Sequence, residues 1–357
     1  IRLTMSVMRV FFLMIRRPPR STLFPYTTLF RSNKNFKSYI GMGYYNNITP
    51  SVIHRNMIQD PGWYTAYTPY QPEISQGRLE MLMNFQQLII DMTKLDVANA
   101  SLLDEGTAAA EAMTLCFRHA FDKNKNTYLV HSLCHPQTIS VIKTRAKPLN
   151  IKIKLCDEFK ELDLKRCFGI LFQYPDTFGH LSDLENLIKI CHKNKTLVCV
   201  ATDLLSLALL KPPGEMDADV VLGNSQRFGT PLGFGGPHAA FFATKNKFIR
   251  SMPGRIIGVT IDKREKNTYR MILQTREQHI RRDKATSNIC TSQALLANVS
   301  AAYAVYHGPE GIKIIAKNIH DKTKVLAHAI KTKFKIYSNN FFDTIVIHTN
   351  NMSNRYF

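Results

Sequence analysis

The sequence predicts an α/β fold around a largely parallel sheet, and three observations carry that prediction. From about residue 96 onward, short β-branched or apolar runs alternate with segments whose apolar residues recur at helical spacing, the order expected of βαβ units. The chain has 357 residues and 45% hydrophobic content, enough to bury a sizeable core as one large domain or two. No run approaches the roughly 20 apolar residues that a transmembrane helix needs, so a soluble chain without a membrane partner is expected.

Residues 1–32 contain six Arg, no Lys and no acid. The stretch from Met14 to Ser32 resembles, without a gap, the conceptual translation of a common sequencing-library adapter. A mitochondrial transit peptide is also Arg-bearing and poor in acids, but Pro18, Pro19 and Pro25 oppose the amphipathic helix it forms. Residues 1–32 are therefore expected to be artefactual and disordered. Residues 33–95 read as an N-terminal arm and a first helix. Between Tyr39 and Glu73 the arm is dense in turn formers and aromatics, too aromatic for a disordered linker, and suits packing across another subunit or lining a pocket.

Residues 96–310 read as one large α/β domain. Its expected strands are Val97–Leu103, Thr127–Ser132, Ile151–Cys156, Gly169–Tyr174, Leu197–Thr202, Val220–Gly223 and Ala239–Thr244. Thr107–Phe121 is Ala-rich with apolar spacing near 3.6, and Leu181–Asn194 places Leu184, Leu187, Ile188 and Cys191 on one face; both are expected helices. A further helix from Gln293 to about Tyr306 should stop at His307-Gly308-Pro309. Residues 311–357 read as the start of a small domain, with a helix over Gly311–Phe334 and a strand at Phe342–His348. The abrupt end and the adapter-like start suggest a truncated gene product.

The formal net charge is +20, of which the six arginines of residues 1–32 supply six, leaving +14 spread along the remainder. No aromatic-interleaved basic motif accompanies it, so nucleic acid is not the expected partner. The seven cysteines, Cys116, Cys134, Cys156, Cys167, Cys191, Cys199 and Cys290, include no CxxC pair and are odd in number. That pattern argues for free thiols in a reducing compartment, with neither a disulfide framework nor a metal site.

Four segments and one residue can carry chemistry. Trp63 to Gly77 sets hydroxyls, amides and the Glu73 carboxylate on a proline-stiffened loop that loses little entropy when it meets a ligand; an aromatic arm packed on the core is the plainer alternative. Asp104 to Glu111 follows a strand and opens a helix, where Gly106 permits close backbone approach and Thr107 can cap free amides, as an anion site or a plain cap. Asn224 to His238 holds Gly229, Gly233, Gly235 and Gly236, but matches no dinucleotide or Walker motif. Arg276 to Thr291 gathers charges suited to carboxylate or phosphate, or to a solvated face. Asp203 ends an apolar strand, where it can hold a cationic ring nitrogen or cap the next helix.

In order along the chain, Tyr39-Ile-Gly-Met-Gly-Tyr-Tyr45, Tyr67-Thr-Pro-Tyr-Gln-Pro-Glu-Ile-Ser-Gln-Gly77, Glu105-Gly-Thr107, Gln226-Arg-Phe-Gly229 and Arg282-Asp-Lys-Ala-Thr-Ser-Asn-Ile-Cys-Thr291 resemble the P-protein family, glycine dehydrogenase (aminomethyl-transferring). The resemblance runs from about residue 33 to the end. It implies the aspartate-aminotransferase type of PLP-dependent fold (fold type I), duplicated into an N-terminal and a C-terminal half, with this chain corresponding to the first. The family's Schiff-base lysine lies in the C-terminal half, just before a Gly-rich loop. Setting Pro231–Pro237 on that loop puts Gln226 at the lysine's place, and a carboxamide cannot form an imine. The resemblance thus implies that pyridoxal 5'-phosphate is attached through the missing C-terminal half, and that Glu105, Gly106, Thr107, Asp203 and Gln226 are vestiges of a cofactor site.

The same resemblance implies that Tyr67, Tyr70, Gln71 and Glu73, with Arg276 and His279, line an active site shared with that half. Glycine would be decarboxylated there and its aminomethyl group passed to the lipoyl arm of H-protein. The implied partners are H-protein, the C-terminal half and a second copy of the full-length protein. The implied location is the mitochondrial matrix in a eukaryote and the cytoplasm otherwise. The chain by itself would be inactive. A free-standing non-catalytic subunit and an interaction scaffold on the same fold are the competing readings.

Overall fold

Alternation of large apolar side chains builds the sheet, and the computed structural model shows both of its faces covered. It describes residues 41–65, 69–120, 122, 124–157, 164–233, 236–286 and 293–349. The stretch 1–32 and Tyr67 lie outside them. The described residues from Gly41 onward form one compact unit.

Seven strands make the main sheet: β1 (Val97–Ala98), β2 (Thr127–His131), β3 (Lys152–Cys156), β4 (Cys167–Tyr174), β5 (Leu197–Thr202), β6 (Val220–Asn224) and β7 (Ala240–Thr244). Their order is β1-β7-β6-β5-β4-β2-β3. Neighbours pair in parallel from β3 through β6, and β7 runs antiparallel to both β6 and β1. Along β4 every residue is buried, as a central strand covered on both faces requires. Its side chains supply both cores, Cys167, Ile170 and Phe172 one and Phe168 and Leu171 the other, with an irregularity in the pairing to β2 between Cys167 and Gly169.

One core lies under α1 (Gln76–Thr93), α4 (Leu184–Lys193) and α5 (Ala294–Lys331); the other lies under α2 (Glu105–Arg118) and α3 (Pro136–Ala146). Ala108, Ala109 and Ala112 let α2 sit close to the sheet, and Gly169 on β4 completes the fit. A Cβ there would lie 2.8 Å from the Tyr128 ring and 3.0 Å from Cys116.

Several elements differ from expectation. The strand expected over Val97–Leu103 pairs only at Val97–Ala98, with one isolated bridge from Leu102 to Ala240; Asn99 and Ala100 instead bond the Phe242 and Arg255 carbonyls. The strand expected at Phe342–His348 shortens to β11 (Ile347–His348), paired with β10 (Lys335–Ile336). At His307-Gly308-Pro309, as expected, one helix ends and another begins, so that α5 is two helical segments joined at a kink. Gly308 takes φ 65°, ψ 173°, a left-handed terminus that favours glycine, and Pro309 sits where a new helix tolerates a missing N–H.

Helix α3 and the hairpin β8 (Ile256–Ile261) with β9 (Asn267–Ile272) lack a strong sequence signal. In α3 the buried positions are Thr138, Ile139, Ile142 and Ala146, a narrow stripe in a β-branched segment that packing against α2 holds helical. The arm is not extended throughout: Pro61–Tyr64 forms a helical turn capped by Asp60, and Pro72–Ile74 a tighter one.

Candidate functional site

The parallel strands end on one side of the sheet, and their C-terminal ends converge on a small cavity, the usual place for a ligand in an open α/β sheet. Glu105 comes from the start of α2, His135 from just before α3, Gln173 and Asp176 from the end of β4, Asp203 from the end of β5 and Asn224 from the end of β6. Gly43 and Tyr45 of the arm close it on one side, and Asp343 and Thr344 on another.

Arg227 organises this region. Its guanidinium donates to Asp203 at 2.6 Å and to Asp343 at 2.7 Å, and lies 4.1 Å from the centre of the Tyr45 ring. Asp203 also accepts from the Leu205 N–H at 3.1 Å, so it caps the turn after β5 as well. Burial pushes the Asp203 carboxyl up from its usual range; Arg227 opposes this and Asp343 adds to it. Burial also raises the Tyr45 hydroxyl, with Asp343 and Asp203 adding to it.

The Gln226 side chain is a clamp on the arm. Its amide nitrogen donates to the Tyr45 and Thr230 carbonyls at 2.8 and 2.7 Å, and its oxygen accepts from the Tyr45 N–H at 3.0 Å. Asn47 and Thr49 fasten the same strip of arm to the carbonyls of Gln226, Thr230 and Gly229. At the start of α2, Asp104 rather than Thr107 is the cap, accepting from the Thr107 N–H at 2.7 Å. The smallness of Gly106 serves helix packing, since a Cβ there would press on Val141 at 3.0 Å.

Glu105 is buried in the cavity wall, accepting from Asn224 at 3.1 Å and Thr138 at 3.4 Å. Burial raises its pKa to about 7, with those two hydrogen bonds holding it lower.

Pyridoxal phosphate would need a lysine, donors for its phosphate and a free carboxylate for its ring nitrogen. Here the amide of Gln226 is spent on backbone, a buried carboxyl stands at the helix start where phosphate would bind, and Asp203 is held by Arg227. These residues do not fit the cofactor.

A second polar cluster forms away from the cavity, where the arm meets the β8–β9 hairpin. The Tyr70 hydroxyl accepts from Arg255 at 2.8 Å. Glu277 lies 3.5 Å from Arg255 and 3.7 Å from His279, whose ring meets Tyr70 edge-on with centroids 5.2 Å apart. Tyr70 and His279 are thus brought together, with Arg255 and Glu277 as members that no sequence motif singled out.

Arg276 is buried beside them, donating to the carbonyls of Met252 and Gly254, and burial lowers its pKa. Gln76, donating to the Tyr269 carbonyl at 2.9 Å and accepting from the Tyr269 N–H, pins the loop to β9. Gln71 and Glu73 stand exposed on the turn, next to Ile74, which is 79% exposed.

A family model described as "Glycine cleavage system P-protein" matches residues 22–356, beginning inside the adapter-like stretch. A glycine dehydrogenase (decarboxylating) of Pelagibacter ubique (strain HTCC1062) is 59% identical over 320 residues, 89% of this chain and 33% of the relative. The mitochondrial glycine dehydrogenase (decarboxylating) of Dictyostelium discoideum is 58% identical over 318 residues, 89% of this chain and 32% of the relative.

Among solved structures, an inhibitor-bound glycine decarboxylase (P-protein) of the glycine cleavage system superposes with a TM-score of 0.82 at 32% identity, covering 92% of this chain and 78% of that one. The aspartate aminotransferase of Thermus thermophilus, 15% identical with a TM-score of 0.52 over 77% of this chain and 74% of its own, shares the fold. The chain spans about a third of the length of the curated relatives it matches. With the match running through the arm, the sheet and both polar clusters, the chain belongs to the glycine cleavage system P-protein family.

Proposed function

We propose that this chain is the N-terminal portion of a glycine-decarboxylating P-protein and supplies one wall of an active site whose reactive lysine and pyridoxal phosphate lie in the remaining portion. The observation that carries this reading is the fixed Gln226. The pocket of this fold is locked by contacts within the chain, while close relatives about three times as long are glycine dehydrogenases. The cofactor would act as electron sink during loss of carbon dioxide, and the lipoyl arm of H-protein would take up the aminomethyl group.

Tyr67, Tyr70, Gln71 and Glu73 form the lining from the arm in this reading. Arg255 holds the Tyr70 hydroxyl, His279 backs its ring, and Arg276 fixes the backbone around Met252 and Gly254 beneath them. Exposed Glu73 and Ile74 support an interface there, because polar and apolar groups side by side are what a partner surface covers. The partners are the C-terminal half, H-protein, glycine and a second full-length copy.

The arm and first helix over 33–95, the large domain over 96–310 and the beginning of a small domain over 311–357 belong to the same reading. So does a location that follows the source, mitochondrial or bacterial-cytoplasmic. Among the described residues no helix is long and apolar enough to cross a membrane.

Glycine–bicarbonate carbon exchange with lipoylated H-protein tests this. The chain alone should show none, and co-expression with the remaining two-thirds of a P-protein should restore exchange. Exchange by the chain alone, with a cofactor reducible onto one of its own lysines, would overturn the assignment of the halves.

A further inference from the structure

The cavity at the strand ends is rich in acceptors and short of donors. Asp176 is 5% exposed; its Oδ1 accepts from the Phe178 and His180 N–H groups at 2.8 and 2.9 Å, while its Oδ2 has no partner. Gln173 is 6% exposed, and its Oε1 has no partner either. His135 adds a third acceptor. Its Nδ1 lies 3.0 Å from the Thr177 hydroxyl, whose own hydrogen goes to the Leu133 carbonyl at 2.8 Å. Nδ1 therefore carries the ring proton and donates, which leaves Nε2 as a lone pair. That nitrogen faces Gly43, where a Cβ would lie 3.0 Å away. Burial takes the His135 pKa down to about 4, so the ring stays neutral.

The donors nearby are already committed. Arg227 serves Asp203 and Asp343; Asn224 and Thr138 serve Glu105. A buried acceptor left unmade costs about 1–3 kcal/mol, and two of them, Asp176 Oδ2 and Gln173 Oε1, line this one cavity beside the His135 ring.

We infer that the cavity binds an ammonium-type cation, held by Asp176 Oδ2, Gln173 Oε1 and His135 Nε2. An ammonium group brings donors and no acceptor, which is what this set lacks. Its charge meets four carboxyl groups, on Glu105, Asp176, Asp203 and Asp343, set against one guanidinium. Among the described residues no three His, Cys, Asp or Glu side chains converge as metal ligands. The space also excludes a bulky quaternary ion, being large enough for about one water-sized group. The ligand is the free ammonium ion or the end of a primary amine reaching in from the mouth. The charge preference is thus the reverse of that of a phosphate-bearing cofactor.

The test titrates the 357-residue chain with ammonium, methylammonium, potassium and tetramethylammonium chlorides at constant ionic strength, following thermal unfolding and the proton signal of isotope-labelled ammonium. Saturable stabilisation by ammonium and not by potassium or tetramethylammonium is expected; a matching response to methylammonium would extend the ligand to primary amines, and none would restrict it to the free ion. Asp176→Asn keeps an oxygen for the Phe178 and His180 amides but loses the charge, and should weaken binding at least about tenfold. Gln173→Met, which removes one acceptor at similar volume, gives a second reading should Asp176→Asn fold poorly. An equal response to potassium would overturn the inference in favour of an alkali-metal site. No saturable response would overturn it in favour of an ordered water or a proton on Asp176. Neither result bears on the decarboxylase reading, which the exchange assay decides separately.

Discussion

The strand-end cavity and the Tyr70 cluster are made of similar residue types and are finished differently. In the cavity wall Arg227 sits between Asp203 and Asp343, capped by the Tyr45 ring, and Gln226 spends both ends of its amide on backbone. Around Tyr70 the bonds are fewer and the surface is open. Glu277 keeps Oε1 without a partner, His279 is exposed, and Gln71, Glu73 and Ile74 project from a single turn. Charges taken out of water must be answered within the chain or by a ligand, whereas the exposed Gln71, Glu73 and His279 can be served by water until a partner covers them. The Arg227 network is therefore structural, while unpaired groups remain both in the cavity, at Asp176 and Gln173, and in the Tyr70 cluster, at Glu277.

Removing the central cation is the severest way to break that contrast. Arg227→Met strands two buried carboxylates and should cost about 3–5 kcal/mol in denaturant unfolding; adding Asp203→Asn and Asp343→Asn should recover most of it. A single variant unfolding at the parental midpoint would show that the cavity is not held together by charge.

Glu105 offers a pH-dependent version. Burial raises its native pKa from 4.5 to about 7, so the native state binds this proton more tightly than the unfolded chain does. Its contribution to stability is full below about pH 4.5 and is lost as pH rises to about 7. Glu105→Gln should flatten that loss, with a gain of up to about 3 kcal/mol at about pH 8 and little change at about pH 4. An unchanged pH–stability curve would mean that Glu105 is ionised in the fold at no cost.

On the open side the effects should move from stability to activity. Glu73→Gln should lower glycine–bicarbonate exchange by the assembled enzyme at least about tenfold, roughly 1.4 kcal/mol, while leaving the unfolding midpoint of this chain where it was. Exchange at the parental rate would make Glu73 a bystander, and failure of the halves to assemble would make its role structural. Tyr70→Phe is the mildest change, removing one hydrogen bond with Arg255 for about 1 kcal/mol of stability. A larger loss of stability would move Tyr70 to the structural side of the comparison.

Much of this was legible in the residues themselves. Leu197–Thr202 was read at its observed bounds, and β2 to β7 each lie within about two residues of expectation, because six or so apolar residues bounded by turn formers have few other places to go. The spacing of α2 was equally plain. Helix α3 was not, since its β-branched residues argue for a strand when taken alone and only the contact with α2 decides otherwise. The sequence pattern over Val97–Leu103 likewise promised a full strand, but past Asn99 the chain turns its Ala100 N–H to the Arg255 carbonyl, outside the main sheet.

The sequence by itself determined the fold class and the family, because both are written in local pattern and in ordered motifs. What Gln226 does, that Arg227 ties Asp203 to Asp343, a residue 116 positions beyond Arg227 in the chain, and that Arg255 and Glu277 complete the group around Tyr70 and His279, only the tertiary structure decided. Hydrogen bonds and ion pairs depend on distance in space. No periodicity reports that distance when the partners come from different strand ends.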